Sequence, residues 1–363
     1  MKPPVPFDIP AAQSLDFVGE QTAKVPWLMS SYPLLASESP KGLVGIARLA
    51  AQGEFIQPGH DVEYFTLPVR SLLNRCDTPR MPFTWTINPY RGCEFACKYC
   101  YARYTHEFME LRDGVDFERK IYVKQQAAWM LRQDLKKVKR GEEIALGTAT
   151  DPYQPAERRY LVTRSILEEL SQHHGLDLGI VTKSTLILRD LDLLRHISQN
   201  NHLGVSVTIT TLNTNLARIL EPRAPRPDLR LETVRKLNEA GISAGVLCAP
   251  VLPGITDHPK DLDALVRAAA QNGVKHIHAN PLFLKPCSAA IFLPFLEKEF
   301  PHLVENYRQR YGERAFLPAG YRKRISHLFA TFKKKYGISG DRVREAQATD
   351  EGSHSPTEQL RLF

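Results

Sequence analysis

Residues 88–102 decide how this chain is interpreted. They read Asn-Pro-Tyr-Arg-Gly-Cys-Glu-Phe-Ala-Cys-Lys-Tyr-Cys-Tyr-Ala and follow a short β-rich run, Phe83–Ile87. Cys93, Cys97 and Cys100 have C-x3-C-x2-C spacing, and no fourth cysteine lies near them. Because three thiols on a short loop can turn toward a common centre, the spacing predicts a metal centre on this loop.

The number of thiols distinguishes between kinds of metal centre. Structural zinc takes four ligands, and an electron-transfer [4Fe–4S] cluster is normally held by four cysteines. Three cysteines leave one iron of a cluster open, and an open iron can bind a small molecule. The alternative is a zinc loop completed by His106 or by a distant cysteine.

From about residue 83 onward, short β-rich runs alternate with helical periods, which is the pattern of βα units around a parallel sheet. The predicted strands are Phe83–Ile87, Glu143–Gly147, Leu178–Thr182, Leu203–Ile209, Ala244–Val251 and His276–Asn280. The predicted helices are Tyr101–Leu111, Tyr122–Val138, Arg159–His173, Asp190–Ser198, Leu231–Ala240 and Lys260–Gln271. We therefore expect an α/β protein with a partial (β/α)6 TIM-like barrel, although a doubly wound sheet has the same local pattern.

The remaining segments differ from this core in composition. Residues 1–82 contain eleven prolines, which favour an irregular Pro-rich arm over long helices or central strands. We assign residues 83–286 to the barrel, 287–345 to a basic helical extension and 346–363 to a polar tail. Within the extension, apolar residues recur at helical spacing and predict one buried stripe: Ile325, Leu328, Phe329, Phe332 and Tyr336.

Positive charge is concentrated in this extension. The chain has a formal net charge of +8, and residues 301–345 alone carry +7. Basic runs at 322–324 and 333–335 flank the apolar stripe, and another lies at 136–140. Such runs could face the phosphates of DNA or RNA, and the alternative is a solvated helix face without a partner.

The composition also indicates the cellular compartment. The sequence has no apolar run long enough to cross a bilayer, and its N-terminus lacks the apolar segment of a secretory signal. Six cysteines in 363 residues, three of them in one loop, fit a reduced protein better than a disulfide framework. We expect a cytoplasmic protein without a membrane partner.

The cysteine loop resembles the signature of the radical S-adenosylmethionine (radical SAM) superfamily, C-x3-C-x-Φ-C, with Tyr99 at the aromatic position Φ. The resemblance extends to Gly147-Thr-Ala-Thr-Asp-Pro-Tyr-Gln-Pro-Ala-Glu157 and to Thr182-Lys183-Ser184. Together these segments look like the spore photoproduct lyase-like branch, often labelled DNA repair photolyase, in an uncharacterised bacterial subgroup with an N-terminal arm.

The resemblance implies a function and its cofactors. It implies a [4Fe–4S] cluster held by Cys93, Cys97 and Cys100, and S-adenosylmethionine cleaved reductively to a 5′-deoxyadenosyl radical. It further implies a reducing electron donor of the flavodoxin or ferredoxin type, and repair or modification of a nucleic-acid base. A small-molecule or peptide substrate, and a non-catalytic iron–sulfur or zinc protein, are the alternatives.

The resemblance also implies residues that bind the cofactor. Gly147 and Thr148 occupy the place of a Gly-Gly-Glu-like turn that binds the methionine amino group, but this chain has no acidic residue there. The hydroxyls of Thr148 and Thr150 are the expected substitutes. Lys183 ends the third strand, where its ammonium could pair with the cofactor carboxylate.

Two further sets of residues complete the predicted site. Ser206 and Thr208 lie two apart on the fourth strand and share a face, so they could bind the ribose or be satisfied core hydroxyls. Lyase-like members use a cysteine near the end of strand two as hydrogen donor, and here no cysteine lies between Cys100 and Cys248. Cys287, in the loop expected after strand six, is the preferred candidate, and a small buried hydrophobe is the alternative.

Overall fold

The structure, a computed structural model, describes residues 43–59, 61–78, 81–312 and 314–339. The predicted polar tail at 346–363 and the first 42 residues of the predicted arm lie outside these ranges. The strands are β1 (Phe55–Pro58), β2 (Glu63–Leu67), β3 (Leu73–Arg75), β4 (Trp85–Ile87), β5 (Tyr90–Arg91), β6 (Lys120–Lys124), β7 (Glu143–Leu146), β8 (Asp177–Thr182), β9 (His202–Thr208), β10 (Ser243–Val251) and β11 (Ile277–Pro281).

Helices occupy most of the segments between the strands. They are α1 (Gly45–Ala51), α2 (Tyr104–Glu107), α3 (Asp116–Arg119), α4 (Ala127–Asp134), α5 (Glu157–Tyr160), α6 (Val162–Leu170), α7 (Leu191–Asn200), α8 (Thr214–Leu220), α9 (Pro227–Glu239), α10 (Pro259–Gln271), α11 (Pro286–Glu299), α12 (Val304–Tyr311) and α13 (Ala319–Lys335). No helix among the described residues has both the length and the apolar composition needed to cross a membrane.

Six parallel strands form the main sheet and confirm the six strands predicted for the core. They are ordered β4-β7-β8-β9-β10-β11, and β3 pairs antiparallel with β4 at one edge. A doubly wound sheet reverses its strand order at a switch point, whereas here every strand follows its predecessor in sequence. The sheet is therefore a partial (β/α)6 TIM-like barrel, as predicted.

Along each strand, successive side chains point alternately to the outer hydrophobic core and to the barrel interior. Val205 and Val207 of β9 are fully buried in the main hydrophobic core, whereas Ser206 and Thr208 face the other side of the sheet. Gly245 of β10 lies against His276, since a Cβ there would come within 2.5 Å of His276 Cδ2. Small residues on the interior face therefore leave room for larger side chains from neighbouring strands.

A second sheet, ordered β1-β2-β6-β5, corrects two expectations. The predicted arm is more regular than expected, because residues 55–75 form three short strands, and Pro58 ends an edge strand where no ladder donor is needed. The helix expected over Tyr122–Val138 is wrong at its start, because Tyr122 lies in β6. Residues 121–124 are buried on both faces, and periodicity alone cannot distinguish such a strand from a buried helix.

The other predicted helices differ mainly in length. The segment expected as Tyr101–Leu111 is a 3-10 turn followed by the four residues of α2. The segment 159–173 is divided between α5 and α6 at Leu161, which has a positive φ of 53°. The remaining helices α7, α9 and α10 confirm the predictions to within a few residues.

The basic extension consists of α11, α12 and α13. The apolar stripe of α13 is confirmed, because Ile325 and Phe329 are buried in the core and the other members pack against it. Several cations of α13 are used within the protein: Arg324 pairs with Asp257 at 2.7 Å, and Lys335 pairs with Asp263 at 2.8 Å. Helix α13 therefore docks on the barrel through both apolar and charged contacts.

Candidate functional site

The cysteine loop begins directly after β4 and β5, at the carboxyl end of the first parallel strand. Cys93 and Cys97 are buried, Cys100 is partly exposed, and all three are free thiols. Backbone contacts hold the loop on two sides, because Cys93 N–H donates to the Phe117 carbonyl at 2.9 Å and Lys98 N–H donates to the Leu220 carbonyl at 2.9 Å. The three thiols therefore sit on a well-anchored loop.

Burial opposes the ionisation of these thiols. It raises the pKa of Cys97 to about 12, while the nearby Lys183 ammonium acts in the opposite direction. Burial, followed by the charge of Asp151, holds the pKa of Cys93 well above its usual range. A metal is bound by the thiolate, so a bound metal and the Lys183 cation would both favour the ionised form that burial opposes.

Lys183 lies immediately after β8, at the same end of the barrel as the cysteine loop. Its Nζ is 5.8 Å from the centroid of the Tyr99 ring. Burial opposes its charge, but the neighbouring Cys97 and Glu221 outweigh that effect and raise the pKa of Lys183. The side chain is therefore a cation beside the cysteine loop, and its contact with a cofactor carboxylate stays a prediction.

Asp151 fixes the backbone from which Lys183 projects, a role that was not predicted from the sequence. Its carboxylate accepts hydrogen bonds from Lys183 N–H at 2.7 Å, from the Thr182 hydroxyl at 2.7 Å and from Tyr153 N–H at 2.9 Å. Burial raises its pKa, with these donors acting in the opposite direction. Asp151 thus connects the end of β8 with the loop that follows β7.

The turn at Gly147–Thr148 is held by the first residue of the cysteine segment. Asn88 donates from Nδ2 to the Thr148 hydroxyl at 3.2 Å and accepts from Ala149 N–H at 2.7 Å. The Tyr101 hydroxyl donates to the Thr148 carbonyl. Gly147 adopts a φ of +91°, and its N–H donates to the Ile87 carbonyl at 2.9 Å. The predicted turn and the cysteine loop therefore form one connected unit.

A buried polar network lies beneath the loop at Tyr99. The Tyr99 hydroxyl donates to Glu221 and lies 3.1 Å from the Thr210 hydroxyl, which itself donates to Glu221 at 3.0 Å. Arg230 pairs with Glu221 at 2.5 Å and donates to the Thr208 carbonyl at 3.1 Å. The aromatic residue of the signature is thereby connected to the end of β9.

Sequence reasoning missed Glu221 and Arg230. Arg226, which lies between them in the sequence, forms an exposed pair with Asp228. The only signal for Glu221 was its place after the fourth strand, which does not distinguish a buried acid from an exposed one.

Two of the predicted hydroxyls, those of Ser206 and Thr150, have hydrogen-bond partners within the protein. Ser206 and Thr208 share the interior face of β9, as expected, and the Ser206 hydroxyl lies 3.3 Å from His276 Nε2. The Thr150 hydroxyl donates to the Gly92 carbonyl at 2.6 Å, so it secures the cysteine loop instead of facing outward as a substitute ligand. A ribose contact by Ser206 or Thr208 stays a prediction.

The two cysteines considered as hydrogen donors lie in different layers. Cys248 is buried in the outer core, between the sheet and its helices. Cys287 is partly exposed in the first turn of α11, so its expected place in a loop is corrected, because Pro286 starts a helix there. The next residue, Ser288, donates to the Cys100 carbonyl at 2.9 Å. Cys287 therefore lies next to the cysteine loop, and a role as hydrogen donor stays a prediction.

The donor set of the loop fits an iron–sulfur cluster, because it consists of three thiols on one anchored segment with a cation beside them. Across the described ranges, no three Cys, His, Asp or Glu side chains are arranged around a single metal ion. Ligation of a cluster by these thiols is therefore a proposal and not an observed geometry.

Comparison with known proteins agrees with the signature and with the barrel. The family model described as the radical SAM superfamily matches residues 87–268, half of the chain. The chain belongs to the radical SAM superfamily. The matched residues begin at the end of β4 and end within α10, so they include the cysteine loop, Lys183 and the Glu221–Arg230 pair.

Relatives of known sequence match most of this chain. An uncharacterized protein of Mycobacterium bovis is 35% identical over 82% of this chain and 88% of its own length. An uncharacterized protein of Methanocaldococcus jannaschii is 27% identical over 76% of this chain and 95% of its own length. The similarity therefore extends well beyond the cysteine loop.

Solved structures show the same fold. Spore photoproduct lyase complexed with dinucleoside spore photoproduct superposes with a TM-score of 0.57 and 16% identity, covering 82% of this chain and 85% of the lyase chain. A variant of that lyase with bound AdoMet and dinucleoside spore photoproduct gives a TM-score of 0.56 at 15% identity, over 82% and 85% of the two chains. At these identities the likeness concerns the fold alone.

Proposed function

We propose that this radical SAM enzyme holds a [4Fe–4S] cluster with Cys93, Cys97 and Cys100 and binds S-adenosylmethionine beside it. The observation that carries the proposal is the position of three thiols and the Lys183 cation at the same end of the barrel, beside Tyr99. When bound, the cluster and S-adenosylmethionine would supply a 5′-deoxyadenosyl radical by one-electron reductive cleavage. The electron would come from a flavodoxin- or ferredoxin-type donor.

The chain's own residues have distinct roles in this proposal. Lys183 pairs with the cofactor carboxylate, and Asp151 holds the backbone that presents it. The turn at Gly147–Thr148 binds the amino group, while Ser206 and Thr208 face the ribose. All six cysteines are free thiols, which fits the reducing conditions of the cytoplasm, where we place the enzyme.

The radical chemistry can be tested with two matched cysteine variants. The protein is reconstituted anaerobically with iron and sulfide, reduced with dithionite and supplied with S-adenosylmethionine, and 5′-deoxyadenosine is quantified. Cys97→Ala is expected to abolish its formation, whereas Cys248→Ala, which removes a buried thiol from the outer core, is expected to retain it. Equal activity of the two variants, or a wild type that carries a cluster yet forms no deoxyadenosine, would contradict the proposal.

We further propose that the substrate is a nucleic acid whose base is repaired or modified. Two observations support this substrate class: the basic helix α13, and structural neighbours solved with a dinucleoside photoproduct. The affinity for DNA and RNA should fall steeply as salt rises, because each phosphate contact releases counterions. If neither nucleic acid binds at low salt, a small-molecule or peptide substrate is favoured instead.

A further inference from the structure

Three partly exposed aromatic rings lie in a row beside the cysteine loop. Tyr101 follows Cys100 directly, and Phe283 follows β11, the last parallel strand. Their ring centroids are 6.2 Å apart, and Phe283 contacts Phe316 at 4.5 Å with an interplanar angle of 32°. Because β4 and β11 are the first and last strands of the parallel run, the row connects the two sides of the open barrel.

A buried lysine accompanies these rings. The Nζ atom of Lys285 lies 3.8 Å from the centroid of the Tyr104 ring and 5.7 Å from that of Phe283. Lys285 is only 8% exposed, and burial lowers its pKa. Glu107 acts in the opposite direction, but among the described residues no carboxylate lies within the 4.0 Å of a direct ion pair with Lys285. A buried ammonium is costly unless an anion compensates it, so this position is suited to a negatively charged group from a ligand.

These residues are fixed relative to the cysteine loop. Ser288 donates to the Cys100 carbonyl at 2.9 Å, which ties the start of α11 to the loop. Leu284 N–H donates to the Ala315 carbonyl at 2.9 Å, which joins the segments that carry Phe283 and Phe316. A ligand held by the rings would therefore be held at a defined place beside Cys100.

We propose that Phe283, Phe316 and Lys285 form a nucleotide subsite, in which a base stacks on the Phe283–Phe316 ring pair and the ammonium pairs with the adjacent phosphate. This inference rests on the proposed nucleic-acid function and assigns residues to it. A nucleic-acid strand supplies flat π faces and phosphates at regular spacing, and the row supplies partly exposed rings with a buried lysine beside them that has no direct ion pair with a carboxylate. The chemistry of the subsite therefore matches a single-stranded or extruded nucleotide.

The test uses binding of a short single-stranded DNA oligonucleotide to the full reconstituted protein, measured by fluorescence anisotropy over a salt series. Phe283→Leu and Phe316→Leu keep apolar bulk but remove the ring, and each is expected to weaken binding about tenfold. Lys285→Met is expected to reduce the slope of log affinity against log salt by about 0.7, the value for one phosphate contact on a single strand. Trp129→Leu, an exposed aromatic on α4, serves as the control and should bind as the wild type does.

The outcomes separate this inference from the proposed function. If the wild type binds and both phenylalanine variants bind equally well, the subsite is refuted while nucleic-acid binding stands. If the wild type binds neither this oligonucleotide nor its RNA counterpart at low salt, both the subsite and the nucleic-acid substrate are refuted. Formation of 5′-deoxyadenosine is measured without an oligonucleotide, so the radical chemistry is judged independently of either result.

Discussion

Gly147→Ala should destabilise the protein more than another glycine-to-alanine change with the same backbone strain. Gly147 has a φ of +91°, and a Cβ there would lie 2.6 Å from the Val181 carbonyl oxygen and 2.6 Å from Pro152 Cδ. A side chain in the left-handed region costs roughly 1–2 kcal/mol. Overpacking against a strand carbonyl and a proline ring, neither of which can rotate away, adds roughly 1–3 kcal/mol.

Gly141→Ala is the matched control, because Gly141 has a φ of +84° and a Cβ there would meet no atom within 4 Å. Gly141→Ala should therefore be destabilised only by its backbone conformation, which costs roughly 1–2 kcal/mol. Scaled to a chain of this length, each kcal/mol lowers the melting temperature by about 1–2 °C. Gly147→Ala should consequently melt about 1–6 °C below Gly141→Ala.

The comparison is made by differential scanning calorimetry of the cluster-free proteins under anaerobic conditions. Reconstituted Gly147→Ala should also bind S-adenosylmethionine more weakly, because the displaced turn carries Thr148 and contacts the end of β8. Equal melting temperatures for the two variants would refute the steric argument. Unchanged cofactor affinity in a destabilised Gly147→Ala would show that the turn is structural and not part of the cofactor site.

Three other changes have specific expected outcomes. Lys183→Met should weaken S-adenosylmethionine binding by about tenfold or more, because a charged hydrogen bond is worth roughly 1.5–3 kcal/mol. The cluster content should stay constant. Unchanged affinity in an equilibrium binding assay would exclude the carboxylate contact. Cys287→Ser should still form 5′-deoxyadenosine but lose product formation if the thiol donates the hydrogen atom, and full product formation would exclude that role. Asp134→Asn should cost roughly 1–3 kcal/mol at pH 7, because Asp134 accepts from Ser71 at 2.7 Å and from Leu72 N–H at 2.7 Å. Burial opposes its ionisation, but these donors and Lys137 hold its pKa below the usual value. The deficit should therefore be complete above about pH 4 and shrink progressively as the pH falls below that value, and a deficit that does not shrink with acid in denaturation measurements would contradict the assignment.

The regular elements of the barrel could be predicted because their signals are local. Each parallel strand is a short apolar run followed by a helical period, and all six were identified within about two residues. The prediction failed where the local pattern was ambiguous, as at Tyr122, which lies in a strand buried on both faces. It also failed at Cys287, where the turn chemistry of Pro286 starts a helix in place of the expected loop.

Only part of the candidate site could be predicted from local sequence patterns. Cys93, Cys97 and Cys100 lie within eight residues, so their spacing alone indicates a shared centre. Lys183 could be placed at a strand end, but nothing in its neighbourhood along the chain indicates that Asp151 holds its backbone. Ser206 was correctly placed on the interior face, whereas its contact with His276 crosses the sheet from β11 to β9.

The family signature, the strand and helix periods and the apolar stripe that docks α13 can all be identified from the sequence, because each of these depends on residues close together along the chain. Which distant groups meet depends on the folded chain. Tyr99 and Glu221 are 122 positions apart, yet the Tyr99 hydroxyl donates to the Glu221 carboxylate. Closing the barrel brings Phe283 to Tyr101 across its open side. Such contacts depend on the curvature of the sheet and on complete burial of paired charges, and no spacing along the chain encodes either of them.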